Sequence, residues 1–287
     1  MKRNDSNATY IMFCKGLLLT TLTIMTMFFM FMNISMADEI DKSGIIDLYS
    51  QAKEYFRQAD KLSIREPAKA MDLYRKSAMR YEKIIKEGGI RNGKIYYNLG
   101  NVYFRMKDIG RAILNYRRAE QYIPDDPNLR QNLSFVRDKR LDKIEEKQET
   151  RVLKTLFFWH YDLSTGIRAI LFLTFFILFW IFASCRIFIK RSYLIWCIVI
   201  SASISILLSG SLAAEEINLK MTRPGVIISN ETVARKGNSE TYEPSFKDPL
   251  HTGTEFVLLE DRGDWYHVEL ADSRTCWISS EDVELVR

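Results

Sequence analysis

The sequence predicts a multidomain membrane protein that combines an all-α helical-repeat module, a two-helix transmembrane hairpin and a C-terminal all-β barrel. Three observations predict this order: amphipathic runs with an internal period within residues 43–150, two uncharged apolar runs within residues 169–214, and short β-prone runs after residue 221. The chain has 287 residues, enough for two small domains besides the membrane segments. Its 47% hydrophobic and 27% charged residues exclude a wholly disordered chain.

Charge and cysteine content narrow the functional classes. The net charge of +5 is a weak indication of nucleic-acid binding, and we expect no nucleic-acid partner. Residues 38–160 hold 26 Lys and Arg against 19 Asp and Glu, whereas residues 217–287 hold 8 against 13. Because the two segments carry opposite net charges, we expect them to face either different partners or each other. Because only Cys276 lies outside the apolar runs and the three histidines are scattered, we expect no disulfide framework, metal site or cofactor.

The first 37 residues have the features of a secretory signal. Lys2 and Arg3 give a basic start, residues 16–32 carry no charge, and a small-residue exit ends at Ala37. This pattern predicts a signal peptide cleaved after Ala37, with an uncleaved membrane anchor as the alternative. Either form exports the chain that follows.

Two apolar runs, residues 169–185 and 193–214, are predicted to span a membrane after a juxtamembrane linker at residues 151–168. The alternative, a buried hairpin in a soluble protein, would need a very large core around it. Residues 186–192 contain three basic residues and no acid, which predicts a cytoplasmic loop. Both flanking domains are therefore predicted on the periplasmic side of a bacterial inner membrane.

A stripe of small polar residues runs along the second predicted span. Ser201, Ser205 and Ser209 recur every four residues and therefore share one helix face. Such stripes allow helices to approach closely. We expect contact with the other hairpin helix, and docking against a partner's membrane helix is the alternative.

Residues 38–150 are predicted to form the helical-repeat domain. Eight residues have the spacing of one signature: Tyr96, Leu99, Gly100, Tyr103, Ala112, Tyr116, Ala119 and Pro124. The glycine and alanines are small where two antiparallel helices touch, the two inner tyrosines fill the space between them, and the proline ends the second helix. This spacing resembles the tetratricopeptide repeat, with Tyr96 in place of the usual tryptophan.

One repeat cannot bury its own faces, so neighbouring helices are predicted on both sides. Residues 44–87 resemble a degenerate repeat with longer helices, and residues 127–147 are predicted to form a final solvating helix. The charge run at residues 137–151 is interpreted as a solvated helix face, with contact to anionic lipid as the alternative.

The resemblance implies a concave groove lined by first helices, in which tetratricopeptide modules bind extended segments. Carried over by position, the predicted groove residues are Lys94, Tyr97, Asn101, Phe104 and Arg105. Asn101 and Arg105 are one turn apart, so both can reach the same ligand backbone or carboxylate. The alternative is that the five are ordinary surface residues.

Residues 215–287 are predicted to form a small barrel. Gly263-Asp264-Trp265, a strand, and the segment from Asp272 to Ile278 resemble the bacterial SH3-like module. Ser273 and Cys276 replace two of its glycines, which predicts a less tight hairpin turn. Trp265 and Trp277 are predicted either to form an aromatic shelf for a peptide or cell-wall fragment, or to pack within the barrel.

The sequence contains no catalytic constellation that we recognise, and we expect no enzymatic activity. A Cys276–His267 pair is the one conceivable nucleophile and base outside the membrane. We interpret these residues instead as a core cysteine and a surface histidine.

The order of signal sequence, tetratricopeptide repeats, membrane hairpin and SH3-like barrel resembles that of BatE-type aerotolerance-operon proteins. Residues 96–101 and 110–116 are similar to the best-marked region of that family. The resemblance implies an inner-membrane protein that works beside membrane proteins with von Willebrand A domains and a MoxR-type AAA+ ATPase.

The leading hypothesis is a non-catalytic scaffold or adaptor in a stress or aerotolerance complex, which binds envelope proteins through the repeat groove and the barrel. The alternative is a membrane protein that attaches to peptidoglycan through the SH3-like domain. An enzyme acting on the cell wall is the third hypothesis.

Overall fold

The computed structural model describes residues 42–144 and 156–287. Residues 45–287 form one compact unit, and residues 42–44 are the described part of a separate unit. The predicted signal peptide or anchor therefore lies outside the described residues, as does the end of the predicted charge run.

Five helices form the repeat region: α1 (Lys42–Leu62), α2 (Pro67–Lys86), α3 (Gly93–Arg105), α4 (Ile109–Glu120) and α5 (Pro127–Arg137). The first two helices have 21 and 20 residues, against 13 and 12 in α3 and α4, so the first pair is the longer one, as predicted. The final helix α5 is shorter than predicted.

Helix ends follow local capping chemistry. The side chains of Asn92, Asp108 and Asp126 each accept a hydrogen bond from a backbone amide two or three residues later, at 2.9 Å. Each thereby satisfies an amide that the helix itself leaves without a partner. Pro67 and Pro127 occupy first helical positions, where proline costs no hydrogen bond.

The contact between α3 and α4 follows the size pattern of the signature residues. A Cβ atom on Gly100 would lie 2.6 Å from the Tyr116 ring, so only glycine allows this approach. Ala112 and Ala119 are fully buried, and Tyr103 and Tyr116 are buried beside them. Small residues therefore stand where the helices touch, and the tyrosines fill the space between them, as the sequence predicts.

A helical hairpin follows the repeat region: the short helix α6 (Phe158–Tyr161), then α7 (Thr165–Phe188) and α8 (Ser192–Met221). Helix α7 and the first 27 residues of α8 are long and apolar enough to cross a membrane. Both predicted spans lie within these helices. The helices extend beyond the apolar runs, because polar residues at the open end of the hairpin bond across it.

The predicted serine stripe is only partly in contact with the other hairpin helix. Ser201 and Ser205 are buried, whereas Ser209 is exposed. Each hydroxyl donates to a carbonyl three or four residues earlier in α8. The stripe thus allows close packing at two positions, and its hydroxyls are satisfied within their own helix.

Seven strands follow: β1 (Arg223–Ile227), β2 (Glu231–Thr232), β3 (Leu250–His251), β4 (Glu255–Asp261), β5 (Trp265–Leu270), β6 (Thr275–Ser279) and β7 (Val283–Leu285). Five of them form an antiparallel sheet in the order β6-β5-β4-β1-β7, and β2 pairs with β3. Only Thr222 separates α8 from β1, so the sheet continues directly from the hairpin.

The sheet does not close into the predicted barrel. Its end strands β6 and β7 are not paired with each other. The outer edge of β6 is instead occupied by Arg235, whose backbone donates to and accepts from Trp277 at 2.8 and 2.9 Å. The three-residue β7 pairs only with β1. The sheet therefore stays open, because β7 is short and the outer edge of β6 is already paired with Arg235.

Ser273 takes the left-handed conformation that the missing glycine would provide. It has a φ of 64° in the turn between β5 and β6. The turn still closes, because the Ser273 amide donates to the Leu270 carbonyl at 2.8 Å and Asp272 accepts from the Arg274 amide at 3.0 Å. A serine there costs roughly 1 kcal/mol relative to glycine, so the substitution strains the turn without opening it.

The repeat region packs directly on the sheet. A Cβ atom on Gly110 at the start of α4 would lie 2.5 Å from the Thr252 hydroxyl and 2.7 Å from the Ile227 carbonyl. Val226 of β1 is fully buried in the same apolar cluster as the repeat helices. The absent side chain of Gly110 thus allows α4 to approach the sheet.

Three arginines of the repeat region surround one carboxylate of the sheet. Arg137 donates to both oxygens of Glu255 at 2.7 Å, Arg140 donates at 3.2 Å, and the Nε of Arg117 lies 3.3 Å from Oε2. Burial alone would raise the pKa of Glu255. The hydrogen bonds from Arg137 and the charges of Arg117 and Arg140 outweigh burial and hold that pKa below its ordinary value.

Two further polar contacts join the same parts. Asp142 accepts from the His251 amide at 2.6 Å and from the Thr254 hydroxyl at 2.7 Å. Burial would raise the pKa of Asp142, but these hydrogen bonds lower it. Arg118 donates to Glu284 at 2.7 Å. The Arg118–Glu284 and Glu255 contacts pair basic side chains of the repeat region with acidic side chains of the sheet, which supports the interpretation that the oppositely charged segments face each other.

The substitution Glu255→Gln is expected to loosen the contact between repeat region and sheet. It leaves three arginines without their common charge partner, at a cost of about 2 kcal/mol, since Arg137 is 34% exposed and partly screened. Urea unfolding of the protein in mild detergent measures the effect. The matched control is Glu260→Gln in the same strand. Its partner, Arg262, belongs to the sheet domain itself, so this substitution leaves the contact with the repeat region intact.

The same contact is expected to weaken in acid. Because the folded state lowers the pKa of Glu255, its contribution is complete above the ordinary value of 4.5 and is lost as the pH falls through the folded-state pKa. The unfolding difference between the wild type and Glu255→Gln should therefore shrink below pH 4.5. A difference that stays constant into that range would contradict the assignment.

Candidate functional site

The groove of the repeat region lies between α1, α3 and α5. Two adjoining cavities occupy it, with volumes of about 550 and 410 Å³, and both are lined by Phe56 and Asn101. Aromatic rings, amides and cationic side chains face these cavities: Tyr49, Lys53, Arg57, Tyr81, Asn98, Phe104, Arg105, Tyr116, Asn132 and Phe135. Such a lining suits a peptide, with rings for apolar side chains and polar groups for its backbone.

The structure brings most of the predicted groove residues to these cavities. Asn101, Phe104 and Arg105 line the smaller one. Tyr97 lies beside them and accepts a hydrogen bond from Asn132 at 3.1 Å. Lys94 is exposed in the first turn of α3 and lines neither cavity. A role for Lys94 would therefore need a ligand that extends beyond the cavities.

Asn101 is held in place by its neighbours. Its Oδ1 accepts hydrogen bonds from the Tyr116 hydroxyl at 2.7 Å and from the Asn132 Nδ2 at 3.0 Å. Both acceptor sites of the oxygen are thus used within the repeat region, and the Nδ2 group is the part of Asn101 that remains for a ligand carbonyl.

Arg105 is the more available of the two polar residues that the sequence singled out. It is 52% exposed, and its Nε lies 3.3 Å from the Asp60 carboxylate. The Tyr74 hydroxyl donates to the same carboxylate at 2.5 Å. An exposed ion pair of this kind stabilises little, so a ligand carboxylate can compete for the guanidinium.

Asn132 and Phe135 of α5 were missed in the sequence, although a signal was present. Asn132, Leu133 and Val136 follow Asn98, Leu99 and Val102 by one 34-residue period. Period 34 is that of the tetratricopeptide repeat. Helix α5 therefore repeats α3 and adds a third first-helix face to the groove.

Trp265 and Trp277 lie on the outer face of the sheet. Both are half-buried, whereas the alternating residues Val268 and Ile278 are in the core. His267 stacks on Trp277 with ring centroids 4.8 Å apart, and the Arg262 guanidinium lies 5.0 Å from the Trp277 ring centre. Of the two predicted roles, this placement favours a surface shelf over core packing.

Strand alternation separates Cys276 from His267. Cys276 pairs with Val268 on the buried face, whereas His267 pairs with Trp277 on the outer face. Burial raises the pKa of the Cys276 thiol to about 12, which disfavours the thiolate that nucleophilic attack needs. These two residues thus form no nucleophile–base pair.

Within residues 42–144 and 156–287, no three His, Cys, Asp or Glu side chains cluster in a way that could hold a metal ion.

Comparison with known proteins identifies one segment of the chain. Residues 93–126 match the family model of the tetratricopeptide repeat. The match spans α3, α4 and the turn that follows, so this helix pair is a tetratricopeptide repeat. No curated protein matches the sequence.

The two polar groove residues are expected to differ in their effect on folding. Asn101→Ala removes the acceptor of two hydrogen bonds and should destabilise the protein by about 1–2 kcal/mol. Arg105→Ala breaks one exposed ion pair and should change the stability by less than about 1 kcal/mol. Urea unfolding of both variants tests this ordering. Equal stability losses would mean that the Asn101 network contributes no more than the exposed pair.

Proposed function

We propose that the protein is a non-catalytic, membrane-anchored adaptor that binds extended segments of envelope proteins in the groove between α1, α3 and α5. The observation that carries the proposal is the tetratricopeptide repeat at residues 93–126, which lies within a three-helix face lined by two adjoining cavities. Tetratricopeptide repeats are protein-interaction modules.

The groove chemistry indicates the kind of segment. Lys53 and Arg105 offer positive charge, whereas Arg57 is paired with Glu54, which lines the same cavity. The amides of Asn98 and Asn101 offer hydrogen bonds to a peptide backbone. The aromatic rings between them suit apolar side chains. An extended peptide with at least one carboxylate and one or two large apolar residues fits this pattern best.

The hairpin supports a membrane location. Because α7 and α8 are antiparallel, the repeat region and the sheet leave the hairpin at the same end. The opposite end carries Arg186, Lys190 and Arg191, which favours the cytoplasmic side. The proposed location is therefore the bacterial inner membrane, with both domains in the periplasm. The resemblance to BatE-type proteins suggests membrane proteins with von Willebrand A domains and a MoxR-type ATPase as partners in a stress or aerotolerance complex.

Charge removal in the groove tests the proposal. Lys53→Ala combined with Arg105→Ala should lower the recovery of bound proteins about tenfold when the intact protein is affinity-purified in mild detergent. The control, Lys69→Ala combined with Lys76→Ala, removes two exposed lysines of α2 and should leave recovery unchanged. Quantitative mass spectrometry gives the ratio. Equal recovery with both double variants would remove the groove from the proposed function.

The second candidate function is peptidoglycan attachment through an SH3-like domain. The outward placement of Trp265 and Trp277 favours it, because half-buried rings on an outer face can stack on sugars or peptides with the part that remains accessible. Trp265→Ala is then expected to abolish co-sedimentation of the detergent-solubilised protein with peptidoglycan. Tyr242→Ala, at another exposed aromatic of the same domain, is the control. Co-sedimentation that survives Trp265→Ala would argue against the tryptophan shelf.

A further inference from the structure

A cavity of about 800 Å³ lies where the repeat region, the sheet and the open end of the hairpin meet. Its volume is within the usual range of small-molecule sites. Four arginine side chains and four Asp or Glu side chains line it, so the charges of these side chains balance. It is separate from the two cavities of the groove, with which it shares no residue.

The cavity lies at the boundary of the apolar helices. Arg168 and Glu215, which line it, flank the apolar runs of α7 and α8 and bond to each other. At the start of α6, the rings of Phe157 and Phe158 are 46% and 55% exposed, and Trp159 follows, a residue type that is enriched at membrane interfaces. In a membrane-spanning hairpin this is the level of the phospholipid headgroups, so this step rests on the proposed membrane location.

Three charged side chains of the cavity, Arg130, Asp125 and Asp162, are available to bind a ligand. Arg130 and Asp125 form an ion pair at 3.0 Å, but their side chains are 57% and 53% exposed, so the pair stabilises little. The carboxylate of Asp162 is exposed and makes no hydrogen bond or ion pair with any part of the chain that the structure describes. Both acids and Arg130 can therefore engage a ligand at low cost.

At the hairpin end of the cavity, Arg168 has one hydrogen-bond donor without an acceptor. The residue is 2% exposed, and its two terminal nitrogens bond to Ser211, His160 and Glu215. Its Nε is buried and has no acceptor among the described residues. A buried donor without an acceptor is costly, so an acceptor oxygen supplied by a ligand would stabilise Arg168.

We propose that this cavity binds the headgroup of phosphatidylethanolamine, with its phosphate on Arg130 and Arg168 and its ammonium on Asp125 and Asp162. A zwitterion leaves the balanced cavity neutral, whereas an anionic headgroup adds negative charge beside four carboxylates. The primary ammonium donates three hydrogen bonds to carboxylates, which the trimethylammonium of phosphatidylcholine cannot do.

Lipid retention by the intact protein tests the proposal. The purified protein is supplied with equal amounts of phosphatidylethanolamine, phosphatidylcholine and phosphatidylglycerol, and the retained lipid is measured by native mass spectrometry. Phosphatidylethanolamine is expected in several-fold excess over both others. Asp125→Asn combined with Asp162→Asn should lower its retention about tenfold. Asp47→Asn combined with Asp72→Asn, at exposed acids of α1 and α2, should not change it.

Equal retention of the three lipids, a preference for phosphatidylglycerol, or unchanged retention by the cavity variant would each overturn the proposal. Asp162→Asn alone replaces the double variant if the latter does not fold, since the Asp162 carboxylate is exposed and makes no hydrogen bond or ion pair with any described residue. Alkaline extraction of membranes separates this proposal from the membrane location. A protein that resists extraction but retains lipids equally refutes only the headgroup site, whereas an extracted protein refutes both.

Discussion

The contact between Glu255 and three arginines constrains the rest of the structure. It fixes β4 of the sheet to Arg117 of α4, to Arg137 at the end of α5 and to Arg140 just after it. A carboxylate this enclosed is stable in its charged form only because its partners are cationic. The contact therefore pairs basic side chains from the basic part of the chain with an acid from the acidic part. Since β1 follows α8 almost without a linker, the same contact joins the groove helix α5 to the apolar hairpin through the sheet.

Local chemistry made most of the fold predictable. The spacing from Tyr96 to Pro124 predicted the α3–α4 pair, because the size of each residue is decided by its immediate helix neighbour. The apolar runs predicted α7 and α8, because hydropathy and length can be read from each segment by itself. Barrel closure was wrong, because it depends on how the coil around Arg235 and the short β7 meet the sheet edges, which no local pattern specifies.

The groove was less predictable than the fold. Asn101, Phe104 and Arg105 could be placed from one repeat, but the contributions of α1 and α5 depend on how helices from different repeats pack. The 34-residue relation between Asn98 and Asn132 was present in the sequence and would have predicted the third helix face. The partners of Glu255 could not be identified from the sequence. The opposite net charges of the two segments indicate that they attract each other, but they do not say which residues pair.

Distance measurement between the two domains tests the central claim that the Glu255 contact holds the repeat region and the sheet together. Spin labels are attached through ketone-bearing amino acids at the exposed positions Met79 of α2 and Tyr242 of the sheet domain, in the intact protein in lipid nanodiscs. Double electron–electron resonance at neutral pH should then give a single narrow distance distribution. A broad or multiple distribution would show that the two parts move independently and that the Glu255 contact does not hold them together.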